Sequence, residues 1–486
     1  MQRRVASLRH PAGCCRAIVR ATGTEGAVPA AALSSASAPV VALNGLLWMA
    51  AQLLGHATLT GGDRPGRLDG RHTGTSGSGG VRAACAGSPR LHDATGAAAL
   101  ERLCSAVEAG SEPALGDLGG EHALAIVSGH AAWLATDRLG THPLYYARPA
   151  EGGIAFDTSA ARLARTPGVD GRIEPQALYD YLHFHVIPAP GTLYRGVRRL
   201  LPGTCLRAAP DGAHELRYWQ PEYRPHGMDR REAARRFRDA VFAAVERACG
   251  DGGAGAFLSG GTDSSTIVGA MARLAGSAAP AYSIGFDVPG YDETEYARIA
   301  AKHFGVRHRV HYLTPGEVAE AIPAVAGELD QPFGNASIVP ARQCAVLAAE
   351  DGVERLLGGD GGDELFGGNT RYAKQRLFEL YGRLPHALRR GVDPLADRLP
   401  ARGPLRKLRS YVGQARTPLP DRLESYNLLE RLGPAEVLAP GLIDAVDPER
   451  PRERMRRAYA EVAAGDYVNR LLGLDLRFTL ADNDLV

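Results

Sequence analysis

From about residue 254 to residue 359, short apolar runs alternate with stretches of helical periodicity, and this alternation restricts the fold more than any other feature of the chain. "GAFL" (255–258), "AYSIGF" (281–286), "HRVHYL" (308–313) and "VERLLGG" (353–359) each read as a strand. Between them, Ser264 to Leu274, Glu293 to Phe304, Glu317 to Leu329 and Ala341 to Glu350 read as helices. Strands separated by helices imply a parallel sheet with helices on both faces, because a parallel pair needs a long crossover. In the second of these helices, Tyr296, Ile299, Ala300, His303 and Phe304 fall on one apolar face, which predicts that this face turns inward. Ligands of such sheets sit beyond the carboxyl ends of the strands, and two glycine-rich sequences fall at those ends.

The rest of the chain divides around this region. A proline-bearing break near residue 220 precedes a helix from Arg230 to Cys249 with Asp229 as its cap, and residues from Tyr372 onward read as mostly helical. Upstream, "HALAIVSGHAAWLATDRLGTHPLYYA" (122–147) predicts two strands around a Ser-Gly turn, and "GGIAFDTSAARLA" (152–164) predicts a strand running into a helix. The stretch from Gly61 to Gly80 reads as a loop or disordered segment. With 486 residues, 45% apolar and 23% charged, the chain has the composition of a globular protein of two or three domains. A formal charge of +2 gives no basic field for nucleic acid or anionic membrane. The apolar stretch from Val40 to Leu54 is too short to span a bilayer, and seven scattered cysteines form no metal or disulfide framework. A cytoplasmic location is expected.

Two motifs carry chemistry. "FLSGGTDSS" (257–265) places Gly260 and Gly261 between a strand and a helix. Such a turn brings backbone N–H groups and a helix N-terminus up to a polyanion, with Ser259, Ser264 and Ser265 as hydroxyl donors. Asp263 would repel a phosphate unless it binds a cation that also binds the phosphate, and Mg²⁺ suits. No Walker lysine is present, so this is not a Walker-type loop. Alone, the turn could simply cap a helix. The second motif, "LLGGDGGDELFGGNTRY" (356–372), sets Asp360, Asp363 and Glu364 among six glycines at the end of a strand. Glycine in that number costs stability and fits a backbone bent closely round a ligand. The acids suit a second Mg²⁺ ligand and a carboxylate at the reacting centre. A merely flexible acidic loop is the alternative, although the EF-hand spacing is absent.

These motifs, together with "YSIGFDVPGYDETEYARIAAKHFG" and "DQPFGNASIVP" (330–340), resemble the asparagine synthetase family, whose relatives include β-lactam synthetases and lasso peptide cyclases. Four motifs occur in the family's order over about 120 residues. The resemblance implies an α/β protein: an N-terminal Ntn-hydrolase-like αββα sandwich, degenerate here, and a C-terminal parallel-sheet domain of the adenine-nucleotide α-hydrolase-like (PP-loop) type, cut short. The corresponding domains would be 1–95, a poorly matching segment, 96–222, glutaminase-like, and 223–486, the ATP-pyrophosphatase synthetase domain. It further implies ATP-dependent adenylation of a small-molecule or peptide carboxylate, release of pyrophosphate, and attack by a nitrogen nucleophile. Under it, Leu258, Ser259, Gly260, Gly261, Asp263 and Ser264 hold the phosphates, and Ser283, Ile284, Gly285 and Gly359 line the adenosine pocket. Asp263 and Asp363 ligate Mg²⁺, and Asp360 stands beside the acyl-adenylate. A homodimer is an assembly open to such a chain.

Two departures from the family shape the expectations. Glutaminases of this type use an N-terminal Cys whose own amine is the base, whereas this sequence begins Met1-Gln2-Arg3, with Cys14 and Cys15 the nearest thiols. Asn44 and Gly45 loosely match the family's oxyanion-stabilising pair. Loss of glutaminase activity is therefore expected. At the other end, the family continues past a segment like Asp475 to Val486 with a basic stretch that supplies a charge-neutralising Lys. Its absence predicts weak ATP·Mg binding, slow turnover and an exposed apolar patch along Leu471 to Leu485. The nearest cations in sequence are Lys302, Arg342, Arg371 and Lys374. Without glutamine-derived ammonia, an intramolecular amine becomes a candidate nucleophile, with Tyr372 and Glu424 as the base pair of a ring-closing enzyme. An inactive relative that only binds nucleotide is the competing class, and ATP–pyrophosphate exchange separates the two.

Overall fold

A computed structural model describes residues 80–485, apart from 225–226, 251–252, 277–278, 401, 403–404 and 426, together with the backbone of strands Gln52–Ala57, Arg67–Arg71 and Thr75–Ser78. Cys14, Cys15, Asn44 and Gly45 lie outside the described residues. The Gly61 to Gly80 stretch is not simply a loop, since it contributes an edge strand to each of two sheets. Pairing with Gln52–Ala57 and Val81–Gly87 orders segments whose own periodicity is too weak to announce a strand.

The N-terminal half is built on two large antiparallel sheets, beside a small three-stranded one formed by Ala94–Thr95, Arg90–Leu91 and Leu118–Gly119. One runs Val197–Arg199, Tyr145–Ala147, Ile154–Asp157, Gln52–Ala57, Arg67–Arg71; the other runs Gly212–Arg217, Thr204–Ala209, Ala132–Thr136, His122–Val127, Val81–Gly87, Thr75–Ser78. Side chains alternate across a strand, so each of these strands serves two layers. Leu124, Ile126, Trp133 and Ala135 face helix Ala97–Glu108. Ala123, Ala125 and Leu134 point the other way, into a layer shared with Tyr146, Ile154 and Phe156 of the first sheet and with Leu144 beside it. That sheet's outer face, with Tyr145 and Ala155, is covered by the short helix Ala160–Leu163. The four layers make an Ntn-like helix–sheet–sheet–helix sandwich.

The C-terminal half contains a four-stranded, wholly parallel sheet in the order Arg307–Leu313, Pro280–Phe286, Ala254–Phe257, Arg355–Leu357. Ala256 and Ala281 face helices Arg230–Cys249, Thr262–Ala275 and Thr294–Phe304, while Phe257 and Tyr282 face helix Ile338–Glu350. Asp229 caps its helix by accepting from the Arg231 N–H at 2.9 Å. The inward face of Thr294–Phe304 differs in part from the sequence expectation: Ala300 and Phe304 pack against the core as expected, but Ala297 and Ala301 are its buried residues, whereas Tyr296 is 63% and Ile299 61% exposed. The reason is close approach. A Cβ on Gly260 would stand 2.5 Å from the Ala297 nitrogen, so only the small-residue face can meet the loop. No helix among the described residues is long and apolar enough to cross a membrane.

The expected apolar patch along Leu471 to Leu485 is also corrected. Leu471, Leu472, Leu474, Leu476, Leu480 and Ala481 are buried. Leu471 and Leu472 pack with Tyr372, Tyr223 and Tyr467, and Leu474 packs with Met455, Ala458 and Phe184, so elements already in the chain cover the segment. Its last part, a π-helix from Leu476 to Asp484, reaches the N-terminal half. Arg199 Nη1 meets Asp482 at 3.4 Å, Arg199 Nη2 donates to the Ala481 carbonyl at 3.2 Å, and the Ala189 N–H donates to Asp482 at 3.3 Å. Both side chains of the pair are buried.

Removing one member of a buried pair strands the other charge. Asp482→Ala should lower folding stability by about 3–5 kcal/mol, measured by denaturant unfolding, while Arg199→Met with Asp482→Leu should recover most of that loss. Equal losses in both variants would show that packing, not the stranded guanidinium, sets the cost.

Candidate functional site

The strand order fixes where a site can form. From Ala254–Phe257 the chain moves outward to Pro280–Phe286 and Arg307–Leu313, then crosses back to place Arg355–Leu357 on the opposite side of the first strand. The connections leaving Ala254–Phe257 and Arg355–Leu357 therefore diverge, opening a crevice beyond their carboxyl ends. Both glycine-rich loops start there, at Leu258 and at Gly358.

The first loop is held by its own hydroxyls. Ser259 Oγ and Ser264 Oγ are 2.9 Å apart, the Ser259 N–H donates to Ser264 Oγ at 3.2 Å, and the Gly261 N–H donates to Ser259 Oγ at 3.3 Å. Gly260 has φ 85°, a left-handed conformation that suits glycine. Helix Thr262–Ala275 begins at Gly261, and no side chain caps it, so its first-turn N–H groups point into the crevice with the positive end of the helix dipole. Buried Leu258 lies in the core and offers only backbone, its N–H donating to the Tyr282 carbonyl at 2.8 Å.

The second loop closes onto the first. A Cβ on Gly359 would stand 2.7 Å from the Ser264 nitrogen, and one on Gly362 would stand 2.5 Å from Asp263 Oδ2. Asp263 and the Asp360–Asp363 stretch therefore share one corner although a hundred residues separate them. Desolvation by the surrounding loops, then the charges of Asp363 and Asp360, raise the Asp263 carboxyl above its ordinary range. Glu364 is buried at the start of helix Gly362–Phe366, and burial raises its carboxyl, with Asp475 and Asp363 adding to the shift. Among the described residues, no group of three or more His, Cys, Asp or Glu side chains is arranged to enclose a metal ion by itself.

The remaining residues singled out in the sequence are distributed less simply. Ser283 is buried, its hydroxyl donating to the Leu258 carbonyl and lying 2.7 Å from His308 Nε2. Ile284 packs in the apolar layers beneath the sheet, and a Cβ on Gly285 would meet Tyr312 at 2.6 Å. The Tyr372–Glu424 pair is not formed. The Tyr372 hydroxyl donates to Asp475 Oδ2 at 2.7 Å, and Glu424 Oε2 lies 2.7 Å from buried His183 Nε2. Each has a nearer partner of complementary chemistry, which a spacing of fifty residues does not reveal. Asp475, buried and also 2.6 Å from Arg371 Nη2, escaped the sequence reading, as did Asp484, which senses the charges of Asp360 and Glu364. Both lie over a hundred residues beyond the acidic loop, and nothing in the sequence around them points back to it.

Comparison with known proteins joins the two halves. The glutamine amidotransferase domain family model matches residues 92–219, and the asparagine synthase family model matches residues 236–486, more than half of the chain. Asparagine synthetase (glutamine-hydrolyzing) 1 of Bacillus subtilis is 28% identical over 297 residues, covering 60% of this chain and 46% of that protein. A putative asparagine synthetase of Mycobacterium tuberculosis is 31% identical over 301 residues, covering 58% and 46%. A putative asparagine synthetase 2 of Methanocaldococcus jannaschii is 32% identical over 261 residues, covering 52% and 50%. The chain spans about half the length of these curated relatives. With an Ntn-like sandwich preceding a parallel sheet and the synthase match spanning the whole of that sheet, the chain belongs to the asparagine synthase family.

Proposed function

We propose that the crevice binds ATP·Mg²⁺ and adenylates a carboxylate, which a nitrogen nucleophile then converts to an amide. The observation that carries this reading is the meeting of an uncapped helix N-terminus with a cluster of carboxylates at the switch point of a parallel sheet. The helix end favours phosphate, while the acids favour a cation, and a metal–polyphosphate satisfies both. In the reaction, a carboxylate oxygen attacks the α-phosphorus of ATP, and the bond to the leaving pyrophosphate breaks with its electron pair. The nitrogen then attacks the acyl carbon, AMP leaves, and the nitrogen gives up a proton. Mg²⁺, when bound, supplies charge neutralisation on the phosphate oxygens. Asp263 and Asp363 would hold it, Gly260 and Gly261 would let the phosphates approach the helix end, and Asp360 would face the adenylate. The relatives named asparagine synthetases make aspartate the first substrate to try.

Asp263→Ala should abolish ATP–pyrophosphate exchange, by at least about a hundredfold, without lowering the melting temperature. Its neighbours repel this carboxylate, so folding loses nothing with it. A variant that binds ATP·Mg²⁺ as well as the parent would end the proposal.

Asp484 gives a pH test. Desolvation by the surrounding chain, then the charges of Asp360 and Glu364, push its carboxyl up to about 6. Below that pH it holds its proton; above it, it adds negative charge beside Asp360. Mg²⁺ affinity should therefore rise as pH climbs through about 6. The metal-free fold should lose stability between about pH 4 and about pH 6, because the folded state binds this proton more tightly than the unfolded chain does. Asp484→Asn should flatten both trends, read by Mg²⁺ titration and thermal melts at about pH 5 and about pH 7.

Glutaminase chemistry needs an activated thiol. Burial pushes Cys85, Cys205 and Cys344 up to about 12 and Cys104 to about 11, and it also raises Cys249. None of the described thiols is poised to attack, so glutamine should yield no glutamate. Glutamate release lost in Cys14→Ala or Cys15→Ala would instead assign the nucleophile to one of those thiols.

A further inference from the structure

Four carboxyl groups, Asp263, Asp360, Asp363 and Glu364, gather where the proposed reaction brings a triphosphate and a substrate carboxylate. Mg²⁺ can bridge only part of that charge, and a reaction that moves negative charge onto leaving oxygens gains from a fixed donor nearby. The structure puts a guanidinium there. Arg371, in the first turn of helix Thr370–Gly382, bonds Asp475 Oδ2 through Nη2 at 2.6 Å. Its guanidinium carbon lies 5.3 Å from the centre of the Tyr372 ring, a cation–π contact. The Tyr372 hydroxyl donates to the same Asp475 oxygen at 2.7 Å.

The Arg371 side chain is 41% exposed, and three features distinguish it from an unanchored surface cation. Asp475 is buried at the end of helix Tyr467–Asp475, so the anchor is rigid. The helix that carries Asp475 packs against the short helix Gly362–Phe366 of the acidic loop, with Leu472 Cδ2 4.0 Å from where a Cβ on Gly367 would stand, which places the group at that loop. Arg371 Nε is buried, and among the described residues no hydrogen-bond partner reaches it. The other cations near the motifs lack these features: Lys302 and Lys374 are exposed, and Arg342 pairs with Glu328 at 3.2 Å.

We propose that Arg371 is the anion-holding cation of this site, with Asp475 and Tyr372 as its positioning residues, an assignment that rests on the adenylation reading above. Its partner is an oxyanion, supplied either by a phosphate of the nucleotide or by the substrate carboxylate. A guanidinium held from one side by Asp475 and from one face by Tyr372 keeps donors in a fixed fork, so little ordering remains to be done when the oxyanion arrives.

The test uses the full chain and three variants, Arg371→Ala, Arg371→Lys and Asp475→Asn, each checked first for parent-like circular dichroism. Calorimetric titration with inorganic pyrophosphate and Mg²⁺ reads the phosphate arm; the KM for aspartate in ATP–pyrophosphate exchange reads the carboxylate arm. Arg371→Ala should weaken one of the two by about ten- to hundredfold, the range for a lost charged hydrogen bond. Arg371→Lys should recover part of it, and Asp475→Asn should show an intermediate loss, because the cation remains but its anchor does not. A loss confined to pyrophosphate assigns the phosphate, and one confined to KM assigns the carboxylate. A folded Arg371→Ala that matches the parent in both overturns the inference while leaving the adenylation reading intact. A parent that binds neither Mg²⁺·pyrophosphate nor ATP overturns both.

Discussion

Mutual repulsion among carboxylates is the constraint around which the C-terminal half is arranged. Two like charges about 5 Å apart repel by about 3 kcal/mol at an effective dielectric near 20. Asp263 is held against Asp360 and Asp363 because the strands that deliver their loops are direct neighbours in the sheet. Neither loop can retreat easily. The first is tied by Ser259 and Ser264 and wedged against Ala297, and the second passes so near the Ser264 nitrogen that only a glycine fits at position 359. The raised carboxyls of Asp263 and Glu364 reflect their burial and this crowding.

The seam between the two halves, which flanks the crevice, is held by partly buried polar contacts. Asp330 accepts from the Ser159 hydroxyl and from the Ala160 and Ala161 N–H groups, at 2.7 and 3.2 Å for the latter two. Gln331 accepts from the Leu193 N–H at 2.8 Å, and the Gly334 N–H donates to the His185 carbonyl at 2.7 Å. Arg454 reaches from the C-terminal helices to Asp180 at 3.1 Å and to the Pro188 carbonyl at 2.7 Å. Groups of this kind contribute little net stability but tolerate only one alignment, since each unpaired member would cost its full desolvation. The "DQPFGNASIVP" sequence therefore does much of its work as a docking segment for the N-terminal sandwich.

What the sequence disclosed follows from the range of the forces involved. Apolar runs and helical periodicity are local, so the four parallel strands and the helices between them could be read within a few residues of their bounds, and Asp229 could be named as a cap. The two glycine-rich loops were legible because bending a backbone round something else demands an unusual local composition. Contacts that depend on which distant element arrives were not legible. Tyr296 and Ile299 look like a core face until the Gly260 loop takes the space beside Ala297. Tyr372 and Glu424 look like a pair until Asp475 and His183 claim them. The strands at Arg67–Arg71 and Thr75–Ser78 sit at sheet edges, where one neighbour's hydrogen bonds can order a segment of weak intrinsic pattern.

The π-helix from Leu476 to Asp484 ties these observations together. Asp482 projects into the seam, against Arg199 and the Ala189 N–H. Leu480 lies on the other side, 3.2 Å from where a Cβ on Gly361 would stand, and Asp484 feels the charges of Asp360 and Glu364. A single turn thus touches the N-terminal half and the acidic loop at once. π-Helical turns are uncommon and carry poorer backbone geometry, so one that is retained needs an external gain to hold it. Here the gain is double, from the buried Arg199–Asp482 pair and from Leu480 packed beneath the loop. Shifting the register by one residue would take Asp482 from its arginine and Leu480 from its glycine together. The seam and the acidic crevice therefore share these nine residues as a common contact. The alignment of the halves and the placement of Asp360 and Asp363 form one cooperative choice, not two independent ones.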